Sequence, residues 1–299
     1  MLRVREIELQ ANGLRFVVEE YTDGKAADGD GAPVVLCLHG FPDHARSFRY
    51  QVDPLVDAGY RVVTPYMRGY APTERPADAN YQTAALGHDV VGLIEALGVE
   101  NAVVFGHDWG ALAAYSAALI APQRIRKLVT ASVPYGVGFI TRFLSDYEQL
   151  KRSWYIHFFQ SPLADGIVAA DHCAFVRKIW HDWSPKWKLP DEEVDAVRDT
   201  IAKEGGVAAA IGYYRSMLSG TGVNPAFAAD EAKLHVTPIE VPTLYVHGDK
   251  DGCMDHTLGE GMEAMFPAGL RRELIAGAGH FLHQEKPVRF NRVLLEFLK

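Results

Sequence analysis

The chain has 299 residues, enough for one large domain or for a domain carrying one sizeable insertion. Apolar residues at 48% and charged residues at 23% exclude disordered, collagenous and fibrous chains. A net charge of −8 argues against a nucleic-acid backbone or an anionic membrane as partner. Met1-Leu2-Arg3-Val4-Arg5-Glu6 has charges where a signal peptide needs its apolar stretch. The longest apolar runs, such as Val34 to Leu38, span five residues, against the roughly 20 that cross a bilayer. The expectation is a cytoplasmic protein without a membrane segment. Cys37, Cys173 and Cys253 are odd in number, widely spaced and without C-x-x-C, so they predict reduced, structural thiols.

In chain order, Ile7 and Leu9, then Leu14, Phe16 and Val18, alternate around Ala11-Asn12-Gly13, which predicts an antiparallel hairpin. Asp23 to Pro33, rich in Gly, Asp and Ala, predicts a surface loop. Short apolar runs follow at Val34–Leu38, Arg61–Thr64, Ala102–Phe105, Leu128–Ser132 and Thr243–Val246. Helical-period segments near 47–58, 83–97, 109–121 and 287–298 are interspersed with them. That alternation predicts an α/β fold with a mostly parallel sheet covered on both faces. From about 135 to 225 strand signals give way to a stretch rich in Trp and Tyr, which predicts a helical cap inserted into a core of 1–134 and 226–299. Such an insert sits over the carboxyl ends of the strands, where open α/β sheets bind ligands.

The strand Ala102–Phe105 runs into Gly106-His107-Asp108-Trp109-Gly110 and an Ala-rich helix. A strand–turn–helix flanked by glycines projects its middle side chain at the end of the sheet. Here that side chain is a carboxylate, Asp108, which by itself would also suit a helix N-cap. An aspartate attacking a saturated carbon leaves an ester that water can cleave, whereas a serine would leave an ether. The implied substrate is therefore an electrophile at sp³ carbon. Ester hydrolysis then needs a base, an orienting acid and an oxyanion hole. His280, in Gly277-Ala278-Gly279-His280-Phe281, occupies the late position expected of the base. His39 and His107, beside the turns, suit loop-holding hydrogen bonds, and His283 faces a helix start.

For the acid, Asp249 and Asp251 compete in His247-Gly248-Asp249-Lys250-Asp251, and the G-x-x-D spacing favours Asp251, with Asp249 turned to solvent or to Lys250. The oxyanion donors are the backbone N–H groups of Phe41, in His39-Gly40-Phe41-Pro42, and of Trp109. An alkoxide leaving group needs a proton, which a phenol supplies and an indole does not. Tyr155 and Tyr214 in the cap are the candidate acids.

With these residues in place the sequence resembles the α/β-hydrolase-fold epoxide hydrolases over almost its whole length. The shared stretches are HGFP at 39–42, RGY at 68–70, GHDWG at 106–110, W-Y-x-x-F-F-Q at 154–160, Y-R at 214–215, G-x-x-D at 248–251 and GHF at 279–281. The resemblance implies Asp108 as nucleophile, His280 and Asp251 as the water-activating pair, and Tyr155 with Tyr214 as acids on the epoxide oxygen. It also implies a cis Phe41–Pro42 peptide, a small-molecule epoxide as substrate, and no metal or other cofactor. Tyr213 adjoins Tyr214, and the place directly before Arg215 favours Tyr214. Asp43 replaces the more usual Glu, and His44-Ala45-Arg46 a more usual aromatic stretch, changes expected to alter the loop near the mouth of the site.

Haloalkane dehalogenases are the competing reading. They share the aspartate, the histidine and the Trp at 109, but need a second indole donor from Trp180, Trp183 or Trp187. A non-catalytic binding protein on the same fold is a third. A metal enzyme is disfavoured because no two histidines stand at ligand spacing with a nearby carboxylate.

Overall fold

The computed structural model describes residues 2–24 and 31–299. Strands β1 (Arg3–Ala11) and β2 (Leu14–Thr22) form the opening antiparallel hairpin. Its turn residues Asn12 and Gly13 both have positive φ, 46° and 77°, which suits the right-handed twist of paired strands. Of the loop expected from Asp23 to Pro33, residues 25–30 lie outside the described residues.

Next come β3 (Val34–Leu38), β4 (Arg61–Pro65), β5 (Ala102–His107), β6 (Ile125–Ala131), β7 (Thr243–Gly248) and β8 (Leu270–Ile275). The sheet order is β1-β2-β4-β3-β5-β6-β7-β8. β2 meets β4 antiparallel, and every pairing from β4 to β8 is parallel. Successive side chains point to opposite faces of a strand, so both faces must be covered. Leu36, Leu38, Val104 and Leu128 pack on one face, in a core shared with the helices Thr83–Ala96 and Trp109–Ile120. Val35, Cys37, Val103, Phe105 and Leu244 pack on the other, with Arg49–Asp57 and Pro287–Leu298.

Several boundaries differ from expectation, β5 and β7 each running two residues further, to His107 and Gly248. β6 begins at Ile125 rather than Leu128, because Ile125 and Lys127 pair with Ala102 and Val103 across a register shift that passes over Arg126. The helix expected over 47–58 divides into a 3-10 turn (Ala45–Phe48) and an α-helix (Arg49–Asp57).

Sheet order reverses between β3 and β5: the chain moves outward to β4, then returns across β3 to build the other half. The loops after β3 and β5 therefore part at one crevice at the carboxyl ends of the strands, the place where such sheets bind ligands. Between β6 and β7 the described residues form helices and no strand, from Val137–Ser145 to Ala228–Glu231. The helical run thus extends beyond residue 225. No helix among the described residues is long and apolar enough to cross a membrane. Cys37, Cys173 and Cys253 are buried free thiols.

Candidate active site

Asp108 stands between β5 and the helix Trp109–Ile120 with φ 53° and ψ −120°. That conformation is costly for a residue with a side chain. It persists because the helix is pressed onto the sheet: a Cβ at Gly110 would sit 1.9 Å from the Leu38 carbonyl oxygen, and one at Gly106 2.1 Å from that of Gly110. The Asp108 side chain makes no cap hydrogen bond to its own helix. It reaches instead across to the loop after β3, where the Phe41 N–H donates to Oδ1 at 2.7 Å. The N-cap reading is therefore set aside. The Phe41–Pro42 peptide is cis, as the resemblance implies. Trp109 opens its helix, so its N–H has no intrahelical acceptor.

Opposite the other carboxylate oxygen lies His280, wholly buried, with Nε2 3.5 Å from Asp108 Oδ2 and without a hydrogen-bond partner. Its Nδ1 is 2.9 Å from Asp251 Oδ2. Asp251 Oδ1 accepts the Cys253 and Met254 N–H groups at 2.7 and 2.9 Å, and His247 Nε2 approaches Oδ2 at 3.1 Å. Burial alone would raise the Asp251 pKa, but the charge of His280 and the hydrogen bonds from His247 and His280 hold it well below the carboxylate range. Burial would likewise lower His280. The Asp251 charge, then the adjacent Asp108 carboxylate and the Asp251 hydrogen bond, outweigh it and lift His280 to about 10.

Asp249 does not point to solvent alone. It accepts the Gly277 N–H at 2.6 Å, because the ends of β7 and β8 lie side by side, and keeps Lys250 at 3.4 Å. His39 Nε2 accepts the Met67 N–H, and His107 Nε2 donates to the His280 carbonyl, so both hold loops as expected. His283 pairs with Ser47 Oγ at 2.8 Å.

Above Asp108 the helices Trp154–Phe158 and Gly206–Ser219 bring Tyr155 and Tyr214 together, ring centroids 5.5 Å apart. The Tyr155 hydroxyl is 3.3 Å from Cys253 Sγ. That of Tyr214 is buried without a hydrogen-bond partner, its ring packed nearly perpendicular to that of Trp109 with centroids 5.1 Å apart. Burial first, and the negative charge of Asp108 among their other neighbours, pushes both phenols well above the ordinary tyrosine value, so both remain proton donors. Tyr213 is occupied elsewhere, donating to the Arg68 carbonyl at 2.7 Å.

Asp108, Tyr155 and Tyr214 share a cavity of about 70 Å³ whose other walls are mainly apolar, among them Leu112, Phe139 and Met217. Trp180, Trp183 and Trp187 do not line it. The Trp180 indole N–H is held by the Pro42 carbonyl at 2.7 Å, and Trp187 stacks on Trp180. Nor do Asp43, His44 and Arg46 line it. Asp43 accepts from His44, Ser47 and Gln284, and Arg46 pairs with Glu193 of the helix Asp191–Ile201.

Two sets of side chains place possible metal-ligand atoms within 4.8 Å of one another: Asp43, His107 and His283, and Asp251, Cys253 and His280. Sequence spacing missed both, since each set is assembled from separate loops. In both, the carboxylate already accepts several protein hydrogen bonds. Also missed were His247 and the Trp183 carbonyl, which accepts the His280 N–H. No sequence signal marks a backbone acceptor.

The arrangement provides a carboxylate held at one oxygen by a backbone N–H, an imidazole–carboxylate pair at the other, and two phenols lining a mainly apolar cavity. A family model for the alpha/beta hydrolase fold matches residues 33–287. Over 97% of its length the chain is 32% identical to Epoxide hydrolase A of Mycobacterium tuberculosis, of which it covers 96%. Among solved structures it is similar to Epoxide Hydrolase A from Mycobacterium thermoresistibile, with TM-score 0.81, 28% identity, and 99% and 98% of the two chains covered. It is also similar to a Bacillus megaterium epoxide hydrolase in complex with an inhibitor, with TM-score 0.82, 25% identity, and 98% and 99% covered. The chain belongs to the epoxide hydrolases of the α/β-hydrolase fold family.

Proposed function

We propose that this protein hydrolyses an epoxide to a vicinal diol through an ester on Asp108. The observation that carries the proposal is the pair of buried phenols sharing a cavity with that carboxylate, one of them with its hydroxyl unpartnered. In this account 1–134 and 226–299 form the core and 135–225 the cap that supplies the phenols.

Phe41 already holds Oδ1, so Oδ2 is the attacking oxygen. It opens the ring from the side away from Tyr155 and Tyr214, which donate to the ring oxygen as its C–O bond breaks. Water then adds to the ester carbonyl carbon. His280, oriented by Asp251, takes a proton from that water, which replaces the one the phenols delivered to the alkoxide. The Phe41 and Trp109 N–H groups hold the tetrahedral oxyanion, each contributing roughly 3 kcal/mol in comparable sites. Collapse passes the remaining proton of that water to the departing diol oxygen and restores the Asp108 carboxylate, for a net addition of one water.

The dehalogenase reading lacks a second indole donor in the cavity, because none of Trp180, Trp183 and Trp187 lines it and the Trp180 N–H is bound by the Pro42 carbonyl. A cytoplasmic location fits the three free thiols. The test is a parallel assay of a styrene-type epoxide and a bromoalkane of similar size. Diol formation well above bromide release is expected, and bromide release exceeding diol formation would overturn the proposal.

A further inference from the structure

One polar group of the cavity has no part in that chemistry. His235 lines it together with Asp108, Leu112, Phe139 and Met217. It lies on the segment that returns from the cap toward β7 and adopts φ 61°. Its ring packs against Tyr135 at 5.0 Å and Phe139 at 5.5 Å between centroids.

The proton on this imidazole can be located. The Gly136 backbone N–H donates to Nδ1 at 3.3 Å, and a backbone N–H can only donate, so Nδ1 carries the lone pair. Burial pushes the His235 pKa down to about 4, which leaves the ring neutral near pH 7. A neutral imidazole with a lone pair on Nδ1 carries its proton on Nε2. Among the described residues Nε2 has no hydrogen-bond partner, and it is not among the side-chain atoms sealed from solvent. The Gly136 bond ties the loop that leaves β6 for the cap to the segment returning from it, which explains one nitrogen and leaves the other unused.

We propose that His235 is a specificity-determining residue whose Nε2–H recognises a neutral hydrogen-bond acceptor, an ether or ester oxygen, on the arm of the epoxide away from the reacting carbons. The inference rests on the epoxide reading above. A donor in an apolar wall is desolvated by any hydrocarbon that covers it, at a cost that an acceptor on the substrate avoids. An anionic arm is disfavoured by the Asp108 carboxylate in the same cavity, and an ammonium arm offers no acceptor to an N–H.

The experiment compares 1,2-epoxyoctane with analogues in which oxygen replaces one chain methylene at successive positions, so that size stays constant. For the wild-type protein at least one oxygen position should raise kcat/KM about tenfold over the hydrocarbon, the effect of one hydrogen bond. In His235→Leu the ratio of oxygenated to hydrocarbon kcat/KM should fall to about one. The ratio cancels any general loss of activity in the variant. A wild-type protein that turns over epoxyoctane but favours no oxygen position overturns the role of His235, as does a preference that persists in His235→Leu. If no member of the series yields diol, the epoxide reading itself fails.

Discussion

The carbonyl oxygen of Trp183, in the cap, accepts the backbone N–H of His280 at 3.1 Å. The same carbonyl accepts the Gly252 N–H at 3.0 Å, so one peptide group joins the loop that bears the imidazole to the loop that bears Asp251. Ser184, the next residue, donates to Glu285, whose other oxygen accepts the Gly279 N–H. The fit is close. A Cβ at Gly279 would lie 2.6 Å from Ser184 Cα, and one at Gly252 2.1 Å from the Asp182 carbonyl oxygen.

Gly279→Ala should therefore displace His280 while leaving Asp108 and the phenols in place. In stopped-flow single turnovers, ester formation should keep its rate and ester hydrolysis should slow by about a hundredfold, the scale of an ångström-sized misplacement. The covalent adduct, read by intact mass, should accumulate.

Asp251→Asn removes the acceptor that orients Nδ1 and the charge that supports the imidazolium. Steady-state turnover should fall by about three to four orders of magnitude, as when comparable triads lose their carboxylate. Initial adduct formation should survive, because Asp251 touches neither the attacking oxygen nor the phenols.

The phenols should not be equivalent. Tyr214 is unpartnered, whereas Tyr155 must give up Cys253 Sγ to reach a substrate. Tyr214→Phe should slow ring opening by about a hundredfold, within the range for a positioned acid, and Tyr155→Phe by less. The double variant should form no adduct from epoxides in rapid-quench experiments.

The pH dependence of ester hydrolysis follows from charge. In the resting site Asp251 and Asp108 together lift His280 to about 10. Esterification neutralises Asp108 and removes its share, so the histidine of the ester has a lower pKa. Pre-formed ester should hydrolyse faster as pH rises, with an inflection below 10, and NMR of the resting enzyme should show His280 still protonated above that inflection.

Glu193 ties the cap to the core through Arg46 at 2.7 Å and Arg49 at 3.5 Å. Burial alone would raise its pKa, but hydrogen bonds from His44 and Arg46 and the arginine charges lower it from 4.5 to about 2. Between those values the unfolded chain binds a proton that the folded chain does not, so this stabilisation is present above 4.5 and lost as pH falls toward 2. Urea titrations should find Glu193→Gln less stable at neutral pH by about 1–2 kcal/mol. The difference should shrink across that acid window.

Much of the site was legible because chemistry demands particular residue types at rigid turns. Asp108 between Gly106 and Gly110, Phe41 before Pro42, and His280 after Gly279 could each be read from local geometry. Tyr155 and Tyr214 were nameable, but a tyrosine on a cap helix looks the same whether it packs or donates, and only the family resemblance separated Tyr214 from Tyr213. The Trp183 carbonyl could not be foreseen, because backbone acceptors leave no mark in side-chain identity. His235 and His247 were visible as histidines, yet their partners Gly136 and Tyr245 are set by how chain segments meet in space.

The account stands on the covalent ester, and oxygen labelling tests it most directly. One turnover with enzyme in excess over epoxide, run in ¹⁸O-water, should place the label in the peptide containing Asp108 and leave the first diol unlabelled. Label in that first diol, with none in the Asp108 peptide, would contradict the account.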